Sequence, residues 1–378
     1  MASFDVAIIG LGAMGSAALA ALASRSRRAI GIDRYVPGHD RGSSHGATRV
    51  IRLGYFEHPS YVPLLRAAYP LWRELEARSG CALLTITGIV EIGAPDSELV
   101  EGTLRSSRLH GLAHDILDSH TVMARFPAFR LPENSIGVFQ PEGGFLRLEP
   151  AIEAMLTLAR RAGAEIATDE QALAVKPRGH GVRVVTARRT IDAACAIVAA
   201  GPWLKSLLPD LPVAIRVTRQ VSGWFEPRDA TDAALFAPGR FPVFLLQNQH
   251  GIYYGFPADG SHGIKIAKHH HFDEAFDPDR YDRSVSPRDE TAIRAVLGAH
   301  LPGADGRLLA AKTCLYTMTP DGDFMIDQIP GHPQIIVASP CSGHGFKFAP
   351  MIGEILADLA TMGTTAHDIS RFSLARFS

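Results

Sequence analysis

The chain has 378 residues, 46% of them hydrophobic, with 38 Lys plus Arg against 39 Asp plus Glu and a formal net charge of −1. That length supports two ordinary domains, or one large α/β unit with an insertion, and the balanced charge leaves no electrostatic case for a nucleic-acid backbone or an anionic membrane as partner. The four cysteines, Cys81, Cys195, Cys314 and Cys341, are far apart and form no C-x-x-C, which argues against a zinc cage or a disulfide framework and for a reducing, cytoplasmic setting.

The first residues lack a basic stretch followed by an apolar one, so no secretion signal is expected. No later apolar run approaches the roughly 20 residues of a membrane span. Asp5 to Ile9 reads as a buried parallel strand, followed by Gly10-Leu11-Gly12-Ala13-Met14-Gly15 and the Ala- and Leu-rich helical stretch Ser16 to Ala23. A second short apolar strand, Ala29 to Ile32, ends on Asp33, about 20 residues beyond the glycines. This βαβ pattern predicts a dinucleotide site. The glycines allow a tight turn and close backbone approach to a pyrophosphate at a helix N-terminus, while Asp33 accepts a ribose hydroxyl. The fingerprint alone does not separate FAD from NAD. Arg25, Arg27 and Arg28 read as solvated cations at the end of that helix.

The loop from Gly42 to Arg52 gathers Ser43, Ser44, His45, Arg49 and Arg52 among small residues, a composition suited to an anionic ligand. An amphipathic helix follows from Tyr61 to about Arg78. Short strands and polar helices from Ala82 to about Gly144 read as an excursion into a second domain. The helix Pro150 to Ala162, the hairpin-like pair Ala172 to Pro177 and Val182 to Ala187, and the strand Ala194 to Ala199 restore α/β character. Residues Val213 to His269 read as antiparallel strands with turns at Asn248 to Gly251 and Asp259 to Gly263. The fold class is therefore mixed α/β (α+β). A Rossmann-type nucleotide-binding domain takes residues 1–83, 145–215 and 310–378, and an interleaved antiparallel-sheet substrate domain takes residues 84–144 and 216–309.

In Gly263 to His269, alternation sends Ile264 and Ile266 to one face and Lys265, Ala267 and His269 to the other. The pattern alone reads as a solvent-facing strand; were that face to border a cofactor, Lys265 would stabilise negative charge on oxygen. The run His269-His270-His271 and the pair His110 and His114 have no Cys or carboxylate completing a ligand set, so no metal is expected. Cys314 draws attention from its setting of Lys312, Thr313 and Tyr316, because a thiol is a useful attachment point only as a thiolate; the other three cysteines read as inert thiols. Gly343-His344-Gly345-Phe346-Lys347 lies between the apolar strand Ile335 to Ala338 and the helix Met351 to Leu359. This junction suits a flavin edge or a carboxylate, and a lysine in the first turn of a helix calls for an anionic partner.

Taken together, the motifs resemble the monomeric sarcosine oxidase family, which includes N-methyltryptophan oxidase, among the flavin amine oxidoreductases of the glycine-oxidase fold. The pieces that carry the resemblance are Gly10 to Gly15, Gly42-Ser43-x-His45-Gly46-x-Thr48-Arg49-x-Ile51-Arg52, Tyr61-Val62-Pro63-Leu64, Gly251 to Pro257, Cys314-x-Tyr316 and Ser342 to Phe348. The resemblance implies an FAD linked through its 8α-methyl group to Cys314. It places Gly10, Gly12, Ala13, Met14, Gly15, Asp33, Arg34, Ser43, Ser44, His45, Arg49, Gly343, Gly345, Phe346 and Lys347 around that cofactor. Arg52 and Lys347 would hold the substrate carboxylate and Lys265 would activate oxygen. Arg49 and His45 would lie against the flavin, and Tyr254, His269, Tyr316 and Gly343 would line the cavity. The expected reaction is oxidation of a secondary N-methyl amino acid by dioxygen in a monomer, giving formaldehyde, the primary amino acid and hydrogen peroxide. A bulkier or cyclic amine (N-methyltryptophan, pipecolate), a dehydrogenase with another electron acceptor, and a non-enzymatic flavin module are the competing readings. Ala47, Leu53-Gly54 and Pro340-Cys341 depart from the family pattern near the entrance and binding loops, and they bear on the choice of substrate.

Overall fold

The computed structural model describes residues 3–258 and 263–377. The strand Phe4–Ile9 lies in parallel between Thr190–Val198 and Ala29–Ile32, with Ile8 opposite both Ile197 and Gly31. Glu165–Ala167 and His332–Ser339 extend this parallel centre. The hairpin Ala172–Arg178 with Gly181–Thr186, and the antiparallel strand Met325–Ile329, complete eight strands. Strands of this kind are buried on both faces, which is why they are apolar without alternation. The helices Ala13–Ser24, Val62–Ser79, Leu148–Arg161 and Ala349–Met362 share one core against the sheet. Arg25, expected to be solvated, instead binds Glu354 and Asp358 at 2.5 and 2.7 Å: the first helix ends beside the last one, and the arginine pins the two together.

The second eight-stranded sheet runs Leu308–Met318, Arg216–Phe225, Ile264–Lys268, Gly251–Gly255, Val243–Asn248, Ile89–Gly93, Ile136–Gln140, Asp115–Asp118. It is antiparallel except where Val243–Asn248 meets Ile89–Gly93. The hairpin turn expected at 248–251 is present; the turn expected at 259–263 lies, apart from Gly263, outside the described residues. The sequence reading grouped everything from residue 310 with the nucleotide-binding part. The strand Leu308–Met318 instead runs along Arg216–Phe225, from Arg216 opposite Met318 to Phe225 opposite Leu308. Its first half is largely exposed and its second half buried, which fits an edge strand that turns inward at Cys314.

Register decides which side chains this sheet presents together. Glu91 is opposite Leu245, Leu245 opposite Tyr254, Tyr254 opposite Ala267, Ala267 opposite Ser222 and Ser222 opposite Lys312. Because side chains alternate along a strand, Lys265, Trp224, Cys314 and Tyr316 stand on that same face. The opposite face, with Val90, Phe244, Tyr253, Ile266 and Val221, packs its apolar side chains with Ile293, Val296 and Leu297 of the helix Pro287–His300. A third, three-stranded sheet, Thr48–Ile51, Gly144–Arg147 and Leu84–Ile86, carries the Gly42 to Arg52 loop between the two larger ones.

Candidate active site

One cavity of about 260 Å³ runs from the Gly-rich turn to the face of the second sheet. Of the residues singled out in the sequence, Gly10, Gly12, Ala13, Met14, Asp33, Arg34, Ser43, Ser44, Arg49, Arg52, Tyr254, His269, Cys314, Tyr316, Gly343, Gly345, Phe346 and Lys347 lie on its wall. Gly15, His45 and Lys265 do not. Gly15 sits behind the turn, where an added Cβ would stand 1.7 Å from the Gly10 carbonyl oxygen. Its role is close packing of helix on strand.

At the Gly-rich end the helix Ala13–Ser24 has no acidic residue in its first turn, so its positive end is left to a ligand. Asp33 accepts hydrogen bonds from the Leu11 and Tyr35 amides at 2.6 and 2.8 Å, which fixes the carboxylate at the cavity wall. Burial raises its pKa against the pull of those two amides. Ser44 Oγ accepts from the Ala13 amide at 3.1 Å, while Ser43 Oγ and both ring nitrogens of His45 are buried without a hydrogen-bond partner. Orphaned polar atoms beside an anion-seeking helix end fit a polar cofactor. Burial, then Arg49, brings His45 down to about 4, so the ring is neutral. Arg34 pairs with Asp279 at 2.6 Å and lies over the Tyr35 and Trp203 rings.

Arg49 donates to the carbonyls of Ser43, His45 and Thr48 at 3.1, 2.6 and 2.8 Å, folding its own loop around the guanidinium. Cys314 is 7% exposed. Lys312, part of its presumed activating setting, is exposed. Burial raises the thiol, and the cations that pull it back are Arg49 and Lys265. Cys341 also lines the cavity, with burial pushing it up to about 11.

At the far end Tyr316 and His269 meet at 3.3 Å between the phenol oxygen and Nδ1. Gly343, with φ +85°, packs against both rings; a Cβ there would stand 2.4 Å from Tyr316 Cε2 and 2.8 Å from His269 Cε1. Gly343→Ala is therefore expected to cost roughly 2–4 kcal/mol through left-handed backbone strain and overpacking. Thermal unfolding checks this, and an unchanged midpoint would count against the packing.

Arg52 is 2% exposed, and its guanidinium is already paired. It donates to both Glu57 oxygens at 2.9 and 2.7 Å and to the Gly54 carbonyl at 2.7 Å, and it lies 3.3 Å from Glu91. The ring faces of Tyr55 and Phe56 cover it at 4.5 and 4.7 Å. Lys347 Nζ donates to the His344 carbonyl at 2.7 Å, and burial, then Arg52, brings its ammonium down to about 7. Burial opposes ionisation of Glu57, yet Arg52, His344 and Lys347 hold its carboxyl below the usual range. The anion that Arg52 and Lys347 call for is thus supplied internally in this structure. Glu57 and Glu91 were missed from sequence; a lone carboxylate within the apolar strand Ile89–Gly93 was the available signal for the second.

Lys265 is 3% exposed, not solvent-facing, because the Gly42 to Arg52 loop covers its face of the sheet. It donates to the carbonyls of Gly46 and Thr48 at 2.6 and 2.8 Å, with the Phe256 and Trp224 rings 5.0 and 5.4 Å away. Burial, then Arg49, lowers its pKa well below the ordinary value. It lines a separate cavity of about 170 Å³, with Phe145, Trp224, Phe256 and Pro257 among the walls. Among the described residues no cluster of His, Cys, Asp and Glu could hold a metal ion, and no helix is long and apolar enough to cross a membrane.

A parallel strand, a Gly-rich turn and an acidic residue at one end of a cavity that also holds a buried thiol, Cys314, and the cations Arg52 and Lys347 fit a flavin-dependent oxidoreductase. Residues 5–359 match the family of FAD dependent oxidoreductases, and the chain belongs to it. It is 40% identical to monomeric sarcosine oxidase of Streptomyces avermitilis over 382 residues, 100% of this chain and 98% of the relative. It is 37% identical to N-methyl-L-tryptophan oxidase of Salmonella dublin over 99% of each chain. Among solved structures, NikD, an unusual amino acid oxidase essential for nikkomycin biosynthesis, superposes in its open form with a TM-score of 0.86 at 26% identity, over 99% of this chain and 98% of that one.

Proposed function

We propose that the chain is an FAD-dependent oxidase of a secondary N-methyl amino acid, with sarcosine as the simplest substrate. The observation that carries this reading is the presence of Arg52 and Lys347 in the same cavity as Cys314, Tyr254, Tyr316 and His269; the names of the relatives support it. FAD, when bound, supplies the two-electron acceptor, and the residues that would hold it are those of the Gly-rich turn, Asp33, the Ser43 to Arg49 loop and, covalently through its 8α-methyl group, Cys314. The protein's part is positional. Arg52 and Lys347 hold the carboxylate, the aromatic walls exclude water and favour the uncharged amine, and Lys265 offers a fixed cation to dioxygen. The imine formed hydrolyses to formaldehyde and the primary amino acid, and dioxygen leaves as hydrogen peroxide.

The nucleotide-binding and substrate parts are taken as discontinuous and interleaved. The four unpaired cysteines support a reducing, cytoplasmic setting, and the printed name of the relatives supports a monomer.

A peroxide assay across sarcosine, N-methyltryptophan, pipecolate and N-methylated aliphatic amino acids tests the reading. Sarcosine or an aliphatic analogue is expected to give the highest kcat/KM, with peroxide formed in step with substrate loss. Turnover only with an artificial electron acceptor would make the chain a dehydrogenase.

A further inference from the structure

The Arg52 cluster contains a carboxylate that the reaction does not use. Glu91 is 0% exposed and sits mid-sheet, paired on both sides by Val243–Asn248 and Ile136–Gln140. Its Oε2 accepts from Gln140 Nε2 at 2.7 Å, and Gln140 Oε1 in turn accepts from the Gly54 amide at 2.6 Å. Its Oε1 has no hydrogen-bond donor and only the 3.3 Å approach of Arg52 Nη1. The Thr103 hydroxyl, from the helix Glu98–His110, lies beside this carboxylate and pulls toward its charged form; it is buried and outside hydrogen-bond geometry. The charged groups that face Glu91 are Arg52, Glu57 and Lys347.

Counting charge gives the consequence. Arg52 and Lys347 balance Glu57 and Glu91, so a substrate carboxylate arriving at Arg52 brings one negative charge too many into a buried cluster. Glu57 stays ionised, held against burial below the usual carboxylate range by Arg52, His344 and Lys347. Glu91, buried in the sheet with an Oε1 that lacks a hydrogen-bond donor, is the carboxylate that can take the neutral form.

We propose that Glu91 is a positioning residue that couples substrate binding to proton uptake: as the substrate carboxylate takes over Arg52, Glu91 Oε1 gains one proton from solvent, keeps it, and donates a hydrogen bond to the Thr103 hydroxyl. The inference rests on Arg52 serving as the carboxylate clamp. Burial, against the pull of Arg52, already pushes Glu91 up to about 7, so the proton is within reach at neutral pH. A protonated Glu91 releases its hold on Arg52 and leaves the guanidinium to the substrate.

The test uses the flavin-loaded enzyme and propionate, a carboxylate with no amine to titrate. Calorimetric titration in Tris and in HEPES, whose ionisation enthalpies differ, counts protons taken up at about pH 8. The wild type should take up close to one proton per propionate, and its affinity should fall roughly tenfold per pH unit above neutrality. Glu91→Gln should abolish the uptake, flatten the pH dependence and bind propionate more tightly than wild type at alkaline pH. On the wild type itself, an infrared difference spectrum with 13C-labelled propionate should gain an unlabelled carboxylic-acid C=O band, a signal that protonation of Lys347 does not produce. Full uptake in Glu91→Gln, or no acid band in the wild type, would overturn the assignment of the proton to Glu91. Propionate binding Arg52→Met as well as wild type would overturn the clamp itself, and this inference with it.

Discussion

Lys265→Met is expected to slow reoxidation of the reduced enzyme by dioxygen by roughly 10²–10³-fold, the scale of losing one preorganised electrostatic partner in a dry site. Anaerobic reduction by substrate should change only a few-fold. The separation follows from position. Lys265 is absent from the wall of the main cavity and stands at the second one, with its ammonium fixed by the Gly46 and Thr48 carbonyls and the Phe256 and Trp224 rings. In the proposed role, negative charge forming on oxygen would draw on a cation already desolvated and oriented, with no reorganisation needed at the moment of electron transfer. Methionine keeps the length and packing and removes the charge. Stopped-flow measurement of the two half-reactions checks this, and equal slowing of both would remove Lys265 from the oxygen step.

Cys314→Ser should release all its FAD on acid precipitation, where the wild type keeps its colour in the pellet, and Cys341→Ser should behave as wild type. The two thiols line the same cavity, so the comparison is internal. Burial raises both, but only Cys314 has Arg49 and Lys265 close enough to draw it back toward the thiolate that the proposed link would need. Serine keeps the shape and lacks the nucleophile. Colour retained by Cys314→Ser, or lost by Cys341→Ser, would move the attachment elsewhere.

The nucleotide-binding half was legible because its signals are local: an apolar strand, glycines at fixed spacing, a helix and Asp33 all fall within one short segment. The alternation that put Lys265 and His269 on one face also held. What sequence could not tell was what covers that face, because the covering loop, Gly42 to Arg52, is more than two hundred residues away in the chain. The same long-range pairing hid the partners of Arg52. Its need for an anion was readable from residue type; that Glu57 and Glu91 meet it required the register of Ile89–Gly93 against Val243–Asn248 and the fold of the loop after Arg52. Cys314 was picked out for its sequence neighbours, whereas the cations that tune it, Arg49 and Lys265, come from the Gly42 to Arg52 loop and from another strand of the same sheet.

The row of paired positions from Glu91 through Tyr254 to Ser222, with Lys265, Cys314 and Tyr316 on the same face, ties those side chains to a backbone ladder whose strands are held about 4.8 Å apart by hydrogen bonds. A one-residue slip in any of these strands would turn its contribution away from the cavity. The segments Leu53 to Glu57 and Pro340 to Cys341 are under no such constraint, since they belong to no strand. Inheritance can therefore act on the two separately: the loops can drift in side chain and length, while the ladder keeps its side chains in place.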